Sequence, residues 1–409
     1  MEAPTPTNAS AAAASGFAGY HKIQDSTRNW VLPRGGKSFG KAWAATEKVH
    51  GANFCFIVSR RADGQVEVRC GKRREVLRDG EDFFGHAVLL DRLRPQVLRL
   101  FAHLEQHQTT LLADHVSGLH KASSKKTSEA TTAPAAIERV LLFGELCGGR
   151  YPHPEVPPDA RVEAVQTGVY YSPTIEFYAF DIALELAGGR LNEATDDSLF
   201  FLDYDKALEI FRSVELLCAE PLAVGTYEEM LEHPVEFEST IPARLGLPPL
   251  PTPNRAEGIV LKPMKTLYVA TSKGSSTRAI VKKKTKQFSE ENQYHQAEKW
   301  QAKPADGSGY GPSEAEMIEF EMYALITRNR LNNVISKMGR VEANEKEKVV
   351  ELLRKFMEDV MEQLREDNAD AIRALPTAAK TDLNAKLRAE CKQIIVQHFK
   401  DLAAERKAV

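Results

Sequence analysis

Residues 46–54 read Thr-Glu-Lys-Val-His-Gly-Ala-Asn-Phe and place Lys48 just before a glycine turn and an apolar run. The apolar run continues to Val58, and after the turn residues Asp63-Gly64 a second strand-like run covers 66–70. Two such runs joined by a short Asp-Gly turn predict a β-hairpin. Lys48 alone is weak evidence for a site, because most lysines are solvated surface charges.

Three further segments carry charges within or at the end of apolar, strand-like runs. Glu145 lies in the run 143–148, Glu257 opens the run 257–263, and residues 282–284 are three lysines that follow Ala-Ile-Val. Buried charges are costly unless they are paired or bind an ion. Taken singly, a salt bridge at a strand end explains each glutamate, and a solvated edge explains the lysines.

Taken together, the four segments supply a nucleophilic amine, carboxylates for a divalent metal and cations for a triphosphate. Because side chains alternate along a strand, Lys282 and Lys284 share one face. This combination predicts a site for nucleotidyl transfer.

The same segments resemble the motifs of the covalent nucleotidyltransferases, in the same order along the chain. Residues 47–54 resemble motif I, 143–145 motif III, 177–182 motif IIIa, 257–260 motif IV and 282–284 motif V. Five motifs in this order are specific to the superfamily.

Within that superfamily, the sequence is similar to the RNA ligase 2 family of ATP-dependent RNA ligases, including the kinetoplastid RNA-editing ligases. His50 stands where DNA ligases and capping enzymes usually have aspartate, and residues 72–73 and 80–86 are similar to the editing ligases. Residues 329–337 resemble the start of the family's helical C-terminal domain. DNA ligases and capping enzymes instead carry a strand-rich OB-fold after motif V.

The resemblance implies an α+β fold: an adenylyltransferase domain of antiparallel sheets with flanking helices, followed by an all-α C-terminal domain. We expect a disordered tail over 1–20, the adenylyltransferase domain over 21–303, a linker over 304–312 and a helical domain over 313–405. A Ser/Thr/Ala/Lys-rich insertion, expected to be a mobile surface loop, covers about 108–137.

Local patterns add detail. Leucines at helical spacing predict a helix over 86–107, in which Pro95 should introduce a kink or start a second helix. Similar spacing predicts helices over 349–364 and 387–402. Further strand-like runs cover 138–146, 175–182, 257–263 and 278–284.

The resemblance implies three chemical steps. Lys48 attacks the α-phosphate of ATP and releases pyrophosphate, AMP passes to the 5′-phosphate of an RNA strand, and a 3′-OH then displaces AMP. A free lysine amine is protonated at neutral pH, and nearby cations favour its neutral, nucleophilic form. The implied catalytic residues are Lys48, Glu257, Lys282 and Lys284, with Glu257 holding the metal directly or through water.

The resemblance also implies contacts to ATP or AMP. The backbone at Glu47 and Val49 would contact adenine, and Phe180 would stack on it. Asn53 and Glu145 would contact the ribose, and Arg73 would contact the ribose or a phosphate. Glu257, Lys282 and Lys284 are also implied to bind ATP or AMP. An ordinary core aromatic is the alternative for Phe180. His50 and Asp181 are additional candidates without an assigned role.

The implied cofactors are ATP, which leaves AMP covalently on Lys48, and Mg²⁺, with Mn²⁺ as the alternative. The implied partner is nicked duplex RNA with 3′-OH and 5′-phosphate ends, in editing or repair. The net charge of −3 conceals a basic stretch, 262–303, with ten Lys/Arg against three Asp/Glu. The helical domain is expected to bind RNA or a partner protein.

Composition excludes several classes. No run of 18 apolar residues exists, so no membrane span or membrane partner is expected. Five scattered cysteines without a CxxC pair favour a reducing, intracellular compartment, leaving mitochondrion, cytoplasm and nucleus open. Two other functions stay open as alternatives: another covalent nucleotidyltransferase (a DNA ligase or mRNA capping enzyme), or a non-catalytic RNA-binding subunit on the same fold.

Overall fold

The structure is a computed structural model that describes residues 19–31, 42–122, 136–186, 199–272, 274–286 and 314–407, with single positions 17, 39 and 288. The chain divides into two compact units, Met1–Lys283 and Lys284–Val409. Most of the predicted N-terminal tail, residues 123–135 of the predicted insertion and the predicted linker over 304–312 lie outside the described residues.

Eleven strands and eight helices occur in these described ranges. The strands are β1 (Trp43–Lys48), β2 (Ala52–Arg60), β3 (Val66–Lys72), β4 (Ile137–Arg150), β5 (Ser172–Leu186), β6 (Phe200–Phe201), β7 (Pro221–Gly225), β8 (Gly258–Pro263), β9 (Tyr268–Ala270), β10 (Ser276–Arg278) and β11 (Val281–Lys284). The helices are α1 (His86–Ala122), α2 (Tyr204–Ser213), α3 (Tyr227–Leu231), α4 (Ile241–Arg244), α5 (Glu314–Leu325), α6 (Arg328–Met338), α7 (Lys346–Ala374) and α8 (Thr377–Lys407).

A four-stranded sheet in the order β11-β8-β1-β7 carries the lysine that opens the sequence argument. β1 pairs antiparallel with both β7 and β8, and its last residue, Lys48, lies opposite Gly258. Trp43 and Ala45 of β1 pack in one apolar cluster with Ile259 and Leu261 of β8. This packing fixes the register of the two strands and so places Lys48 beside the residue that precedes β8, Glu257.

A five-stranded sheet in the order β3-β2-β4-β5-β6 forms the other large sheet of the first unit, and β9 and β10 make a separate pair. In it Asn53 of β2 lies directly opposite Glu145 of β4. The turn between β1 and β2 passes so close to β4 that a Cβ at Gly51 would stand 2.0 Å from the Leu146 carbonyl oxygen. Only glycine permits this approach, which brings the end of β1 against the five-stranded sheet.

The structure confirms the predicted hairpin as β2 and β3, and the runs 138–146, 175–182 and 257–263 as β4, β5 and β8. The run 278–284 is wrong as a single strand, because the chain leaves extended pairing at residues 279–280 and forms β10 and β11.

Helix α1 is longer than predicted. Pro95 lies inside this one helix and does not start a second. The helix also continues through Ala122, so the expectation of a loop from about residue 108 is wrong for its first part. The physical reason is that Leu112 is buried and extends the apolar stripe of Leu100 and Leu104.

Every described element after residue 313 is a helix, as the resemblance implied. Four residues of α7, Leu352, Phe356, Val360 and Leu364, are completely buried, and Leu387, Cys391 and Ile395 of α8 are buried at the same spacing. Helix α6 begins at a cap, since the Thr327 hydroxyl accepts from the Arg330 backbone N–H at 3.0 Å. No helix in the described part of the chain is long and apolar enough to cross a membrane.

Candidate active site

Lys48 contacts Glu257 where β1 ends and β8 begins. The Lys48 Nζ donates to Glu257 Oε2 at 2.7 Å, and the Glu257 side chain is only 4% exposed. The His50 ring lies on the same oxygen, with Nδ1 at 3.5 Å, and its backbone N–H donates to the Tyr171 hydroxyl at 2.8 Å. Motif I and motif IV residues are therefore in direct contact, although 209 positions separate them.

Glu145 joins this group from the five-stranded sheet. Burial raises the pKa of the Glu145 carboxyl to about 7, and the charges of Lys48, Arg73 and Lys282 lower it while that of Glu257 raises it. These electrostatic neighbours are four of the other sequence-predicted site residues, Lys48, Arg73, Glu257 and Lys282. We call Lys48, His50, Glu145 and Glu257 the Lys48 cluster.

Asn53 stands beside Glu145 on the neighbouring strand. Its side-chain Oδ1 is buried and has no hydrogen-bond partner among the described residues. A buried amide oxygen without a donor is uncommon in folded proteins and requires an explanation. A hydroxyl of a bound ligand would satisfy it.

Glu47 is buried like Glu257, but it contacts a different part of the chain. Its carboxylate is 2% exposed and accepts from the Ser239 hydroxyl at 2.6 Å, the Thr240 N–H at 2.8 Å and the Thr240 hydroxyl at 2.7 Å. Burial raises its pKa. The Glu47 side chain is thus engaged with residues 239–240, and the adenine contact of the backbone at Glu47 and Val49 stays a prediction.

Strand β11 carries three lysines on alternating faces. Lys283 Nζ donates to the Leu231 carbonyl oxygen, whereas Lys282 Nζ lies 3.1 Å from Asp25 Oδ1. Lys284 shares the face of Lys282 because it is two residues on. The predicted alternation therefore separates Lys283 from the other two.

A second buried ionic group lies around Asp181. Asp181 Oδ1 accepts from Lys262 Nζ at 3.1 Å, Asp181 Oδ2 accepts from Arg278 at 3.0 Å, and the Tyr20 hydroxyl donates to Oδ2 as well. Arg278 and Lys262 hold the pKa of the Asp181 carboxyl well below its usual range, against the effect of burial. We call Tyr20, Asp181, Lys262 and Arg278 the Asp181 cluster.

Phe180 belongs to the surroundings of the Asp181 cluster. Its ring lies edge-on to Tyr20, with centroids 5.0 Å apart, and its carbonyl oxygen accepts from Lys262 Nζ at 2.6 Å. The ring is half-buried, so one part of it stays open to a ligand.

The burial of Lys262 contradicts its expected place in a basic surface for RNA. We counted it in the basic stretch suited to RNA, but it is 4% exposed and its ammonium contacts Asp181 and the Phe180 carbonyl. β8 is an inner strand covered by its neighbours, which the sequence pattern alone did not reveal. Residues 289–303 of that stretch lie outside the described residues.

The side chains near Lys48 indicate which metal ion could bind there. Within the described ranges no three His, Cys, Asp or Glu side chains come together as a metal site. A single carboxylate such as Glu257 fits Mg²⁺, which keeps several waters and binds through one or two carboxylates plus substrate phosphates.

Several contact residues carried no signal in the sequence. Ser239, Thr240, Tyr171, Tyr20 and Asp25 lie outside the five motifs, and single serines, threonines and tyrosines are common in any chain. Their contacts depend on pairings between distant segments, as in the case of Ser239 and Glu47, which are 192 positions apart.

Two protein-family models match the chain. The RNA ligase model matches residues 41–284, and the model of the C-terminal region of T4 RNA ligase 2 matches residues 312–393. The first match spans more than half of the chain. It contains the Lys48 cluster and, from the Asp181 cluster, Asp181, Lys262 and Arg278. The second falls within the helical unit.

Individual relatives agree with these matches. The chain is 28% identical to the mitochondrial RNA-editing ligase 2 of Trypanosoma brucei brucei, over 94% of this chain and 92% of that protein. It is 27% identical to the mitochondrial RNA-editing ligase 1 of the same organism, over 90% of this chain and 79% of that protein.

Among solved structures, a variant of the Naegleria gruberi RNA ligase with ATP and Mn is similar at a TM-score of 0.31 and 14% identity, covering 61% of this chain. The chain spans about half the length of that ligase, 51%. A TM-score at this level supports no argument about function.

Proposed function

The chain belongs to the RNA ligase family, and from that premise we propose that it joins RNA ends with ATP through AMP held covalently on Lys48. The observation that carries this proposal is the contact of Lys48 with Glu257, at 2.7 Å, in a cluster that Glu145 completes. A lysine amine held by the buried carboxylate of Glu257, with the half-buried Glu145 and the charges of Arg73 and Lys282 nearby, is arranged for attack on a phosphate rather than for solvation.

The proposed roles follow from these contacts. Glu257 orients the Lys48 amine through the ion pair, and the amine attacks the α-phosphate of ATP once its proton has left. Lys282 and Arg73 supply positive charge that stabilises the phosphates as negative charge moves to pyrophosphate. Lys284, at the end of the same strand, is assigned the same role.

Nucleotide binding is supported by the unsatisfied Oδ1 of Asn53. A ribose hydroxyl would donate to this oxygen, and Glu145 on the neighbouring strand would contact the same sugar. The half-buried Phe180 ring is proposed to stack on adenine. A divalent cation held at Glu257, Mg²⁺ or Mn²⁺, would supply charge that favours the neutral amine and neutralises phosphate.

For the substrate we propose nicked duplex RNA with 3′-OH and 5′-phosphate ends. The two trypanosome relatives are named as RNA-editing ligases, which supports RNA as the substrate. The helical unit, which matches the C-terminal region of T4 RNA ligase 2, is proposed to grip this duplex or a partner protein. Residues 304–312 are proposed as the linker between the adenylyltransferase domain and the helical domain.

Adenylylation is tested by incubating the protein with α-labelled ATP and Mg²⁺ and separating the labelled protein. Wild type should form an acid-labile adduct, and Lys48→Ala should form none. Lys282→Ala should lose at least about tenfold in rate, whereas Lys283→Ala should not, because Lys283 contacts Leu231 on the opposite face. A labelled Lys48→Ala protein would refute the proposal.

Substrate class is tested by nick sealing on RNA–RNA, RNA–DNA and DNA–DNA duplexes. We expect sealing where the nicked strand is RNA and poor sealing of the all-DNA duplex. A protein truncated near residue 305 should keep lysine adenylylation and lose sealing. Full sealing by the truncated protein would overturn the role proposed for the helical unit.

A further inference from the structure

We infer that Ser239 and Thr240 are positioning residues for Lys48, which act through the carboxylate of Glu47. This inference rests on the proposed function in one respect, that Lys48 is the residue adenylylated. Neither Ser239 nor Thr240 lies in a motif, and both come from the segment that precedes helix α4.

The contact is specific in its geometry. Glu47 Oε1 accepts from the Ser239 hydroxyl, and Oε2 accepts from both the N–H and the hydroxyl of Thr240, all between 2.6 and 2.8 Å. Three donors from two consecutive residues therefore hold both oxygens of one carboxylate. With Glu47 only 2% exposed, water does not replace a lost donor readily.

The position of Glu47 explains why this contact affects the nucleophile. Glu47 immediately precedes Lys48 at the end of β1, and consecutive side chains on a strand point to opposite faces. Holding the Glu47 carboxylate on one face fixes the backbone so that Lys48 projects on the other, toward Glu257. It also keeps the negative charge of Glu47 away from the Lys48 ammonium, so that Glu257 is the acid that pairs with it.

The segment that supplies the donors is itself anchored to the site. The Ser239 N–H donates to the Asn254 carbonyl oxygen at 2.9 Å, and the Asn254 N–H donates to Glu238 Oε2 at 2.7 Å. The Asn254 side chain bonds the backbone N–H and carbonyl of Tyr170 at 2.9 and 2.6 Å.

Both ends of this anchor reach residues that contact Lys48 or its neighbours. Asn254 lies three residues before Glu257, and Tyr170 immediately precedes Tyr171, whose hydroxyl accepts from the His50 backbone N–H. Hydrogen bonds between Ser239, Asn254 and Tyr170, continued by short stretches of backbone, thus connect the supports of Glu47 with those of Glu257 and His50. Misplacement by even an ångström at the nucleophile is costly to rate, because the reacting atoms must be held in a near-attack geometry.

The test compares Ser239→Ala/Thr240→Val with wild type in two separate reactions. The rate of lysyl-AMP formation at saturating ATP should fall about 10- to 100-fold with little change in the KM for ATP. Sealing of RNA that already carries a 5′-adenylate needs no lysyl-AMP formation, and its rate should change less than about twofold. A general loss of structure would reduce both reactions together.

Dependence on Glu47 is tested by a double-mutant cycle. In a Glu47→Gln background, the Ser239→Ala/Thr240→Val substitutions should slow adenylylation by less than about threefold more, because the carboxylate they hold is gone. With Glu47 intact, Thr240→Ser retains the hydroxyl and should therefore form lysyl-AMP at most of the wild-type rate, unlike Thr240→Val. Thr266→Val, which removes a half-buried hydroxyl bonded to the Leu202 carbonyl at 3.2 Å, is the matched control and should leave adenylylation unchanged.

Two results would overturn the inference. One is that Ser239→Ala/Thr240→Val and Glu47→Gln reduce the adenylylation rate by independent factors that multiply in the combined variant. The other is that Ser239→Ala/Thr240→Val reduces adenylylation and the sealing of adenylated RNA equally. Failure of wild type to label on Lys48 would instead refute the proposed function. If the double variant unfolds, Thr240→Val alone and Thr240→Ser supply the same comparison, and equal rates for these two would also overturn it.

Discussion

The Lys48 cluster and the Asp181 cluster both bring carboxylates and cations together inside the fold, but they differ in how completely their polar groups are paired. Around Asp181 the carboxylate is surrounded by Tyr20, Lys262 and Arg278, and its pKa is held well below the usual range. Around Lys48, burial raises the pKa of Glu145 to about 7, and a nearby amide oxygen of Asn53 has no partner. The contrast teaches that buried charge can be paired within the fold, as at Asp181, or stand beside an unsatisfied polar atom, as at Asn53, where we propose that a ligand binds.

The largest expected effect tests whether the ion pairs of the Asp181 cluster stabilise the fold. Asp181→Ala leaves Lys262 and Arg278 as two buried cations without their carboxylate, and should lower the free energy of unfolding by about 3–5 kcal/mol. Denaturant unfolding measures this loss. Glu105→Ala, which breaks the exposed pair with Arg60, is the control and should cost less than about 1 kcal/mol. A loss as small as the control would mean that the cluster contributes little to stability.

The second prediction concerns pH and Glu145. Between pH 4.5 and 7 the unfolded chain has lost the Glu145 proton while the folded protein keeps it, because the folded pKa is raised to about 7. This group therefore favours the folded state below its ordinary pKa, and the contribution is lost as pH rises through 7.

The measurement for Glu145 is the free energy of unfolding of wild type and Glu145→Gln from pH 4.5 to 8. Relative to the variant, wild type should lose about 3 kcal/mol over this range. Other titrating groups cancel in the difference. A constant difference at all pH values would show that Glu145 ionises as an ordinary surface carboxyl, and the contrast with Asp181 would disappear.

The third prediction separates ligand binding from stability at Asn53. Asn53→Ala removes a buried oxygen that accepts no hydrogen bond in the described part of the chain, so the free energy of unfolding should change by less than about 1 kcal/mol. The KM for ATP in lysyl-AMP formation should rise about tenfold, which corresponds to about 1.4 kcal/mol of lost binding. Gln65→Ala, in the exposed hairpin turn, should change neither quantity. Unchanged KM would place the nucleotide elsewhere.

The smallest effect is expected at Asp25, which contacts Lys282 at 3.1 Å with its side chain 64% exposed. Asp25 and a triphosphate are both anions that would bind this ammonium, so Asp25→Asn should lower the KM for ATP about two- to threefold. The difference should shrink at high salt. Asp79→Asn, another exposed aspartate, is the control. A raised KM would show instead that Asp25 holds Lys282 in place for the nucleotide.

The sequence predicted well those features that reside in short, local patterns. The β2–β3 hairpin, β4, β5 and the helices after residue 313 follow from alternation, turn residues and helical spacing. Lys48, Glu145 and Glu257 were identified by motif resemblance, and the structure brings them together around one point.

The remaining features depend on long-range packing that local patterns do not encode. Lys262 belongs to the basic stretch 262–303 that the sequence predicts to be suited to RNA, yet it is buried and its strand lies between two others. Ser239 and Thr240 were missed because their only distinctive feature is the distant carboxylate they hold. The break between β10 and β11 follows from pairing to different strands, which the apolar run 278–284 did not reveal.

The position of β1 between two late strands has a consequence for synthesis of the protein. Both neighbours of β1, β7 and β8, leave the ribosome long after it, and β8 ends only at Pro263. A nascent chain shorter than this has neither Glu257 beside Lys48 nor the donors for Glu47, and such distant strand pairings form slowly. The contacts around Lys48 therefore form only near the end of translation of the first unit, and shorter nascent chains carry Lys48 without Glu257 beside it.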